Sequence, residues 1–230
     1  PHGRSFYVLD GIEPRRQIDA DLASQSIRLF APGPAFRRVR PANIDFFLRA
    51  PAESVTLEIV DGAGTVARRF AGADLAKPGL HRIEWDLRYP GAATFPGMIL
   101  RSANPARGPW APPGVYRVRL TVGGQVHEER LTVKRDPRLS GVTDADLEAQ
   151  FELSGQTSAR TSDANRAVSR IRSIKKQIAE RLGGKVTPAL KAAADSLVQT
   201  LSGIEASIYQ VRNRSPKDPL NFPIKLNNRI

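Results

Sequence analysis

The first 135 residues alternate between apolar and polar positions. Val55, Leu57 and Ile59 share one face of a stretch whose other face carries Thr56 and Glu58, the period of a half-buried strand. Ile83, Trp85 and Leu87 alternate likewise within 81–87, and Val118, Leu120 and Val122 stand opposite Arg117, Arg119 and Thr121. Segments 5–9, 27–30, 44–49 and 65–70 add short apolar runs, and 125–133 returns after Gly123-Gly124, a two-residue hairpin signal. Strands with one polar face, punctuated by turns and free of helical periods, predict an antiparallel β-sandwich of about 100 residues. The six prolines between Tyr89 and Pro113 forbid a central strand there, so this stretch is expected to wrap the sandwich edge as a loop.

From Val142 the period changes from two to 3.6. Thr143 with Asp146 marks a helix start, and Ala164, Ala167, Ile171, Ile174 and Ile178 step by three and four up to Gly183-Gly184. Thr187-Pro188 opens a second helix, predicted over 188–212. Its stripe of Leu190, Ala194, Leu197, Leu201, Ile204, Ile208 and Val211 is the seam of a coiled coil. The short connection predicts an antiparallel αα-hairpin over 143–212, with Leu190, Leu197, Leu201, Ile204 and Ile208 as its interface. A first helix over 144–182 would be about 58 Å long and the second about 37 Å. The overhang carrying Leu147, Phe151 and Leu153 therefore needs another surface, either the sandwich or the tail around Leu220, Phe222 and Ile224, and Ser154-Gly155 is expected to break or kink the helix.

Composition narrows the function classes. The 230 residues contain no Cys, which excludes disulfides, thiolate nucleophiles and cysteine zinc sites, and no apolar run approaches the roughly 18 residues of a membrane span. The opening Pro1-His2-Gly3 and the closing 224–230 both read as cuts, so a longer parent protein is expected, with 213–230 a truncated tail. The net charge of +12 is the strongest pointer to an anionic partner. Arg166, Arg170, Arg172, Lys175 and Lys176 crowd one helix, but they lie off its apolar seam, the excess charge is shared by both halves of the chain, and no aromatic residues interleave them. Nucleic acid is therefore not the expected partner, and anion binding along this helix ranks below the other readings.

Several motifs together resemble the C-terminal region of a bacterial family of sortilin-like or neuraminidase-repeat β-propeller proteins, often described as glycosyl-hydrolase-like. These are segment 2–10, the Gly79 to Tyr89 string around Glu84-Trp85-Asp86, Pro113-Gly114-Val115-Tyr116, Asp136-Pro137-Arg138, and Phe95-Pro96-Gly97-Met98. The middle portion is similar to the Ig-like domain of flagellar hook-capping proteins. The resemblance implies a propeller remnant and linker over 1–25, an Ig-like or fibronectin III-like sandwich over 26–135, and the helical hairpin after it. It also implies an upstream propeller as neighbour and an extracytoplasmic location. It carries over no catalytic residue, because the family's Ser-x-Asp-x-Gly-x-Thr-Trp boxes are missing from this chain.

Candidate chemistry is sparse. Glu84 and Asp86 flank Trp85 on one strand and are expected to be solvated rather than paired across a sugar as a glycosidase requires. His2, His81 and His127 lack metal-ligand spacing, and no Gly-rich phosphate loop occurs, so no metal, cofactor or catalytic residue is expected. Trp110 and Tyr89, in the Pro-rich stretch, are the candidates for stacking on a carbohydrate or a protein. The leading expectation is a non-catalytic interaction module that dimerises through its hairpin, and the alternative is a carbohydrate-binding region of a larger enzyme.

Overall fold

A computed structural model describes residues 11–184, 186–215 and 217–230; the predicted 5–9 strand lies outside them. After a short helix α1 (Glu13–Arg16) come ten strands: β1 (Ile27–Leu29), β2 (Ala35–Phe36), β3 (Ala42–Leu48), β4 (Val55–Val60), β5 (Val66–Ala71), β6 (Gly79–Trp85), β7 (Arg88–Pro90), β8 (Arg107–Trp110), β9 (Gly114–Val122) and β10 (Gln125–Lys134). Two long helices follow, α2 (Asp144–Arg181) and α3 (Pro188–Ile208). The chain divides into two compact units. One holds the residues up to Tyr89 together with Trp110–Phe151, and the other holds Pro90–Pro109 with Glu152–Ile230.

In the first unit, β1-β3-β6 form one sheet and β2-β10-β9-β4-β5 another. The first is antiparallel throughout, and the second is antiparallel except where β2 runs parallel to β10. The hairpin register is the expected one: Gln125 pairs with Val122, and Gly123 and Gly124 both take positive φ, as a two-residue turn of matching twist demands. Ile44, Phe46, Leu48 and Trp85 from one sheet share a single core with Leu57, Ile59, Val118, Leu120 and Leu131 from the other. Trp85 is fully buried, and its indole N–H donates to the Arg88 carbonyl at 2.9 Å, so the core holds no orphaned donor there. The first two turns of α2 belong to this unit. Leu147 is buried, and Phe151 packs on the core with its ring 4.6 Å from that of Tyr89, which supplies the surface that the helix overhang needed. Leu153, by contrast, is exposed.

Helix starts follow the sequence signals. Thr143 and Asp146 cap reciprocally, Asp146 N donating to Thr143 Oγ1 at 3.1 Å and Thr143 N to Asp146 Oδ2 at 2.8 Å. Leu190 N donates to Thr187 Oγ1 at 3.3 Å. Other expectations are corrected. α2 runs unbroken through Ser154-Gly155, because a lone helical glycine costs only about 1 kcal/mol, far less than the flanking turns contribute. α3 ends at Ile208 rather than 212, since Tyr209 turns to an extended backbone and its hydroxyl accepts from Ile99 N at 3.0 Å. The Pro-rich stretch also belongs largely to the helical unit. Ala93 is held at both backbone groups, its N–H by Ser162 Oγ at 3.0 Å and its carbonyl by Asn165 Nδ2 at 2.7 Å. Phe95 then packs edge-on against Tyr209, in a small cluster with Val168.

Candidate functional site

Three chain segments of the first unit converge on a cleft of about 310 Å3 lined by Arg38, Val39, Arg40, Pro41, Glu84, Asp86 and Trp110. Each segment is fixed from behind. Arg37 is buried; its backbone N–H bonds the Lys134 carbonyl at 2.8 Å, its Nε the Ala111 carbonyl at 3.1 Å, and its Nη2 Gln150 Oε1 at 2.6 Å. Burial, followed by the nearby Arg38 and Arg88 charges, pushes this guanidinium below its ordinary value. Ala111 N in turn donates to the Leu87 carbonyl at 2.8 Å, and Asp86 Oδ1 accepts from Arg88 N at 3.2 Å. Arg37, Leu87 and Ala111, each next to a lining residue, are thus joined by hydrogen bonds, and Asp86 is held by Arg88.

Among the described residues, Arg38, which lines this cleft, takes a left-handed backbone at φ 61°, and so does the buried Leu87 next to Asp86 in the chain, at φ 59°. That conformation costs roughly 1 kcal/mol or more at a residue with a Cβ and persists only where neighbours over-determine it. Trp110 is half-buried, and the Arg88 guanidinium lies 3.9 Å from its ring centroid. Glu84 and Asp86 are exposed on the same wall, and no ion pair among the described residues joins either to Arg38 or Arg40. A wider cavity of about 610 Å3 lies near Phe36, Val115, Val133 and Leu139, and its lining also includes Lys134, Arg135 and Asp144.

Tyr89 is not a contact residue. It is buried, its hydroxyl donates to Asp61 Oδ2 at 2.8 Å, and burial raises its pKa far above the ordinary value. The expected Pro-rich loop is a short strand at this point, Arg88–Pro90, and nothing local in the sequence showed that Phe151 and Asp61 meet Tyr89.

The helical unit holds the remaining candidates. Of the five basic residues, Arg172 Nε and Lys175 Nζ bind Glu205 Oε1 and Oε2 at 2.7 and 2.9 Å, and Arg172 also lies over the Phe95 and Tyr209 rings. Arg166 sits 3.5 Å from Asp163, Lys176 3.8 Å from Glu180, and Arg170 is exposed. Glu205, only 4% exposed, is the buried residue of α3. Turning it inward rolls the helix. Leu201 and Ile208 are half-buried, while Leu190, Leu197 and Ile204 stand 55, 47 and 47% exposed. With Ala193, Thr200 and Ser207 they form an uncharged outer face stepping by three and four. Sequence reasoning identified the stripe but not the roll, because the Glu205 pairing depends on residues 30 positions away.

Among the described residues no group of three or more His, Asp or Glu side chains is placed to hold a metal ion, and no helix is long and apolar enough to cross a membrane.

No protein-family profile and no curated protein matches the chain. Among solved structures it is similar over 47% of its length to CopC from Methylosinus trichosporium OB3b, at 15% identity, with 94% of that chain covered and a TM-score of 0.29. It is similar over 48% to dimeric latent PorU from Porphyromonas gingivalis, at 19% identity, with 9% of that chain covered and a TM-score of 0.29. An engineered protein matches over 48% at 14% identity, with 20% of that chain covered and a TM-score of 0.25. Scores this low assign no function to the chain, and the propeller-family resemblance gains no support from them.

Proposed function

We propose that the chain is a non-catalytic interaction module, an Ig-like sandwich followed by an antiparallel helical hairpin, that self-associates through the outer face of α3. Support for the sandwich is the core shared by two sheets and the Tyr116 hydroxyl bonding back to the Pro112 carbonyl at 2.9 Å, the geometry of a tyrosine corner. Support for the hairpin is the order of its contacts: Arg172 meets Glu205 while Lys175, further along α2, meets Ser202, earlier on α3. The propeller context and an extracytoplasmic location rest on the short motifs alone.

The observation that carries the reading is the uncharged, exposed stripe of Leu190, Leu197 and Ile204 in a chain where a quarter of residues are charged. Interface centres are depleted of charge in this way, and two hairpins pairing through such stripes complete a four-helix arrangement. Burying three half-exposed side chains from each copy contributes about 4–9 kcal/mol before association costs of comparable size. The pairing is therefore no tighter than about micromolar. Anion binding along the basic helix is weaker as a reading, because Arg172 and Lys175 are already engaged by Glu205. Catalysis is disfavoured because Glu84 and Asp86 share one wall, whereas glycoside hydrolysis needs carboxylates on opposite sides of the sugar.

Sedimentation velocity over a concentration series tests it. The wild-type mass should rise with concentration and the L197E variant should remain monomeric. A wild-type monomer throughout would overturn the reading.

A further inference from the structure

We infer that the Trp110 cleft is a binding site for a neutral saccharide. This inference stands apart from self-association, because every lining residue belongs to the sheet unit.

The first reason is preorganisation. Arg37, Ala111 and Leu87 tie the three lining segments together by backbone-directed bonds of 2.8–3.1 Å, and Arg38 in the lining keeps a left-handed backbone. A surface wrinkle needs no such fixing, whereas a binding site benefits because less entropy is lost when a ligand arrives. The volume of about 310 Å3 is at the lower end of small-molecule sites.

The second reason is the chemistry of the walls. Val39, Pro41 and the face of Trp110 that the Arg88 guanidinium does not cover supply apolar surface, Arg38 and Arg40 can only donate hydrogen bonds, and Glu84 and Asp86 as carboxylates can only accept them. The two guanidiniums and two carboxylates cancel in formal charge, yet no ion pair joins them. An anionic or cationic ligand would meet one attractive pair and one repulsive pair. A neutral polyol meets no repulsion, because each hydroxyl accepts from a guanidinium and donates to a carboxylate, while the C–H face of the ring lies on the apolar wall. A pyranose carries both kinds of surface on one rigid frame. A proline-rich peptide could use the apolar wall, but it has carbonyl acceptors and few donors for the carboxylates.

The test is titration of the full chain with cellotetraose, mannotetraose and N-acetylchitotetraose, followed by calorimetry and by tryptophan emission. Trp85 is fully buried and the chain has only two tryptophans, so an emission change reports on Trp110. At least one saccharide should bind saturably with a dissociation constant of about 0.1–1 mM. That affinity should change less than about twofold between low and high salt, as a neutral ligand requires. The substitutions E84Q and R40Q, both at exposed side chains and so safe for folding, should each weaken binding about tenfold. The inference is overturned by silence from all three saccharides up to about 10 mM. Unchanged affinity in both variants would overturn it too, as would a proline-rich peptide shifting Trp110 emission where the saccharides do not.

Discussion

Removing the Glu205 carboxylate should selectively loosen the helical unit. The group is 6% exposed at its side chain and accepts charge-assisted hydrogen bonds from Arg172 at 2.7 Å and Lys175 at 2.9 Å. Breaking a fully buried pair from one side costs roughly 3–5 kcal/mol, because the remaining charge is stranded. Here the cations are 37 and 29% exposed and can regain water, so the expected cost of E205A falls to about 2 kcal/mol. With a urea slope of about 1–3 kcal/mol per molar, that moves the helical transition down by roughly 1 M. Circular dichroism at the helix band reads α2 and α3, while both tryptophans lie in the sheet unit and serve as the control. The pH dependence follows from the same contacts. Burial pushes the Glu205 carboxyl up, but the Arg172 and Lys175 hydrogen bonds and charges outweigh it and leave its pKa below the ordinary glutamate value of 4.5. The ionised group therefore stabilises the fold above that value, and the stabilisation is lost as pH falls through the lower folded value. The gap between wild type and E205A should be constant at neutral pH and should shrink below about pH 4.5. A helical midpoint unmoved in E205A, or a gap that widens on acidification, would show that the ionised Glu205 carboxylate does not hold α2 and α3 together.

Two further changes probe the backbone and the sheet core. A Cβ at Gly91 would collide with the Ala106 carbonyl oxygen and sit 2.5 Å from that of Pro105, both backbone atoms that cannot swing aside. G91A should therefore cost about 2–4 kcal/mol in the helical transition, and a midpoint within error of wild type would show that the segment can shift freely. Y116F leaves the buried Pro112 carbonyl without its 2.9 Å donor, so the tryptophan-detected transition should fall by about 1–3 kcal/mol with the helical one unchanged.

What the sequence reveals here is whatever depends on near neighbours. Strands with clean alternation, the Gly123-Gly124 turn and both helix caps lie where local chemistry put them, because each is decided within about four residues. Long-range polar pairing was hidden. The roll of α3 follows from Glu205 meeting Arg172 and Lys175, and the course of the Pro-rich stretch from Ala93 meeting Ser162 and Asn165. The cleft divides in the same way. Trp110 stood out as a large aromatic among prolines, and Glu84 and Asp86 as outward carboxylates. Arg38 and Arg40 carried no signal, since nothing local announces a left-handed arginine facing another strand.

The charges themselves separate what holds the fold from what is left for a partner. Asp45 takes a two-point bond from Arg82, Glu205 is clamped by two cations, and Arg37 is anchored at three points; these commitments are internal and saturated. Against that background two places break the local rules without an internal return. One is an uncharged, half-exposed leucine and isoleucine stripe on a helix of a charge-rich chain. The other is a cleft lined by Arg38, Arg40, Glu84 and Asp86 with no ion pair between them, Arg38 on a left-handed backbone. Departures of this kind are retained where something outside the chain supplies the missing half. The proposed occupants differ in chemistry, an apolar helix face for the stripe and a hydroxyl-bearing ligand for the cleft. Blocking one with L197E should therefore leave saccharide binding at the other intact, and loss of both together would show that a single surface had been mistaken for two.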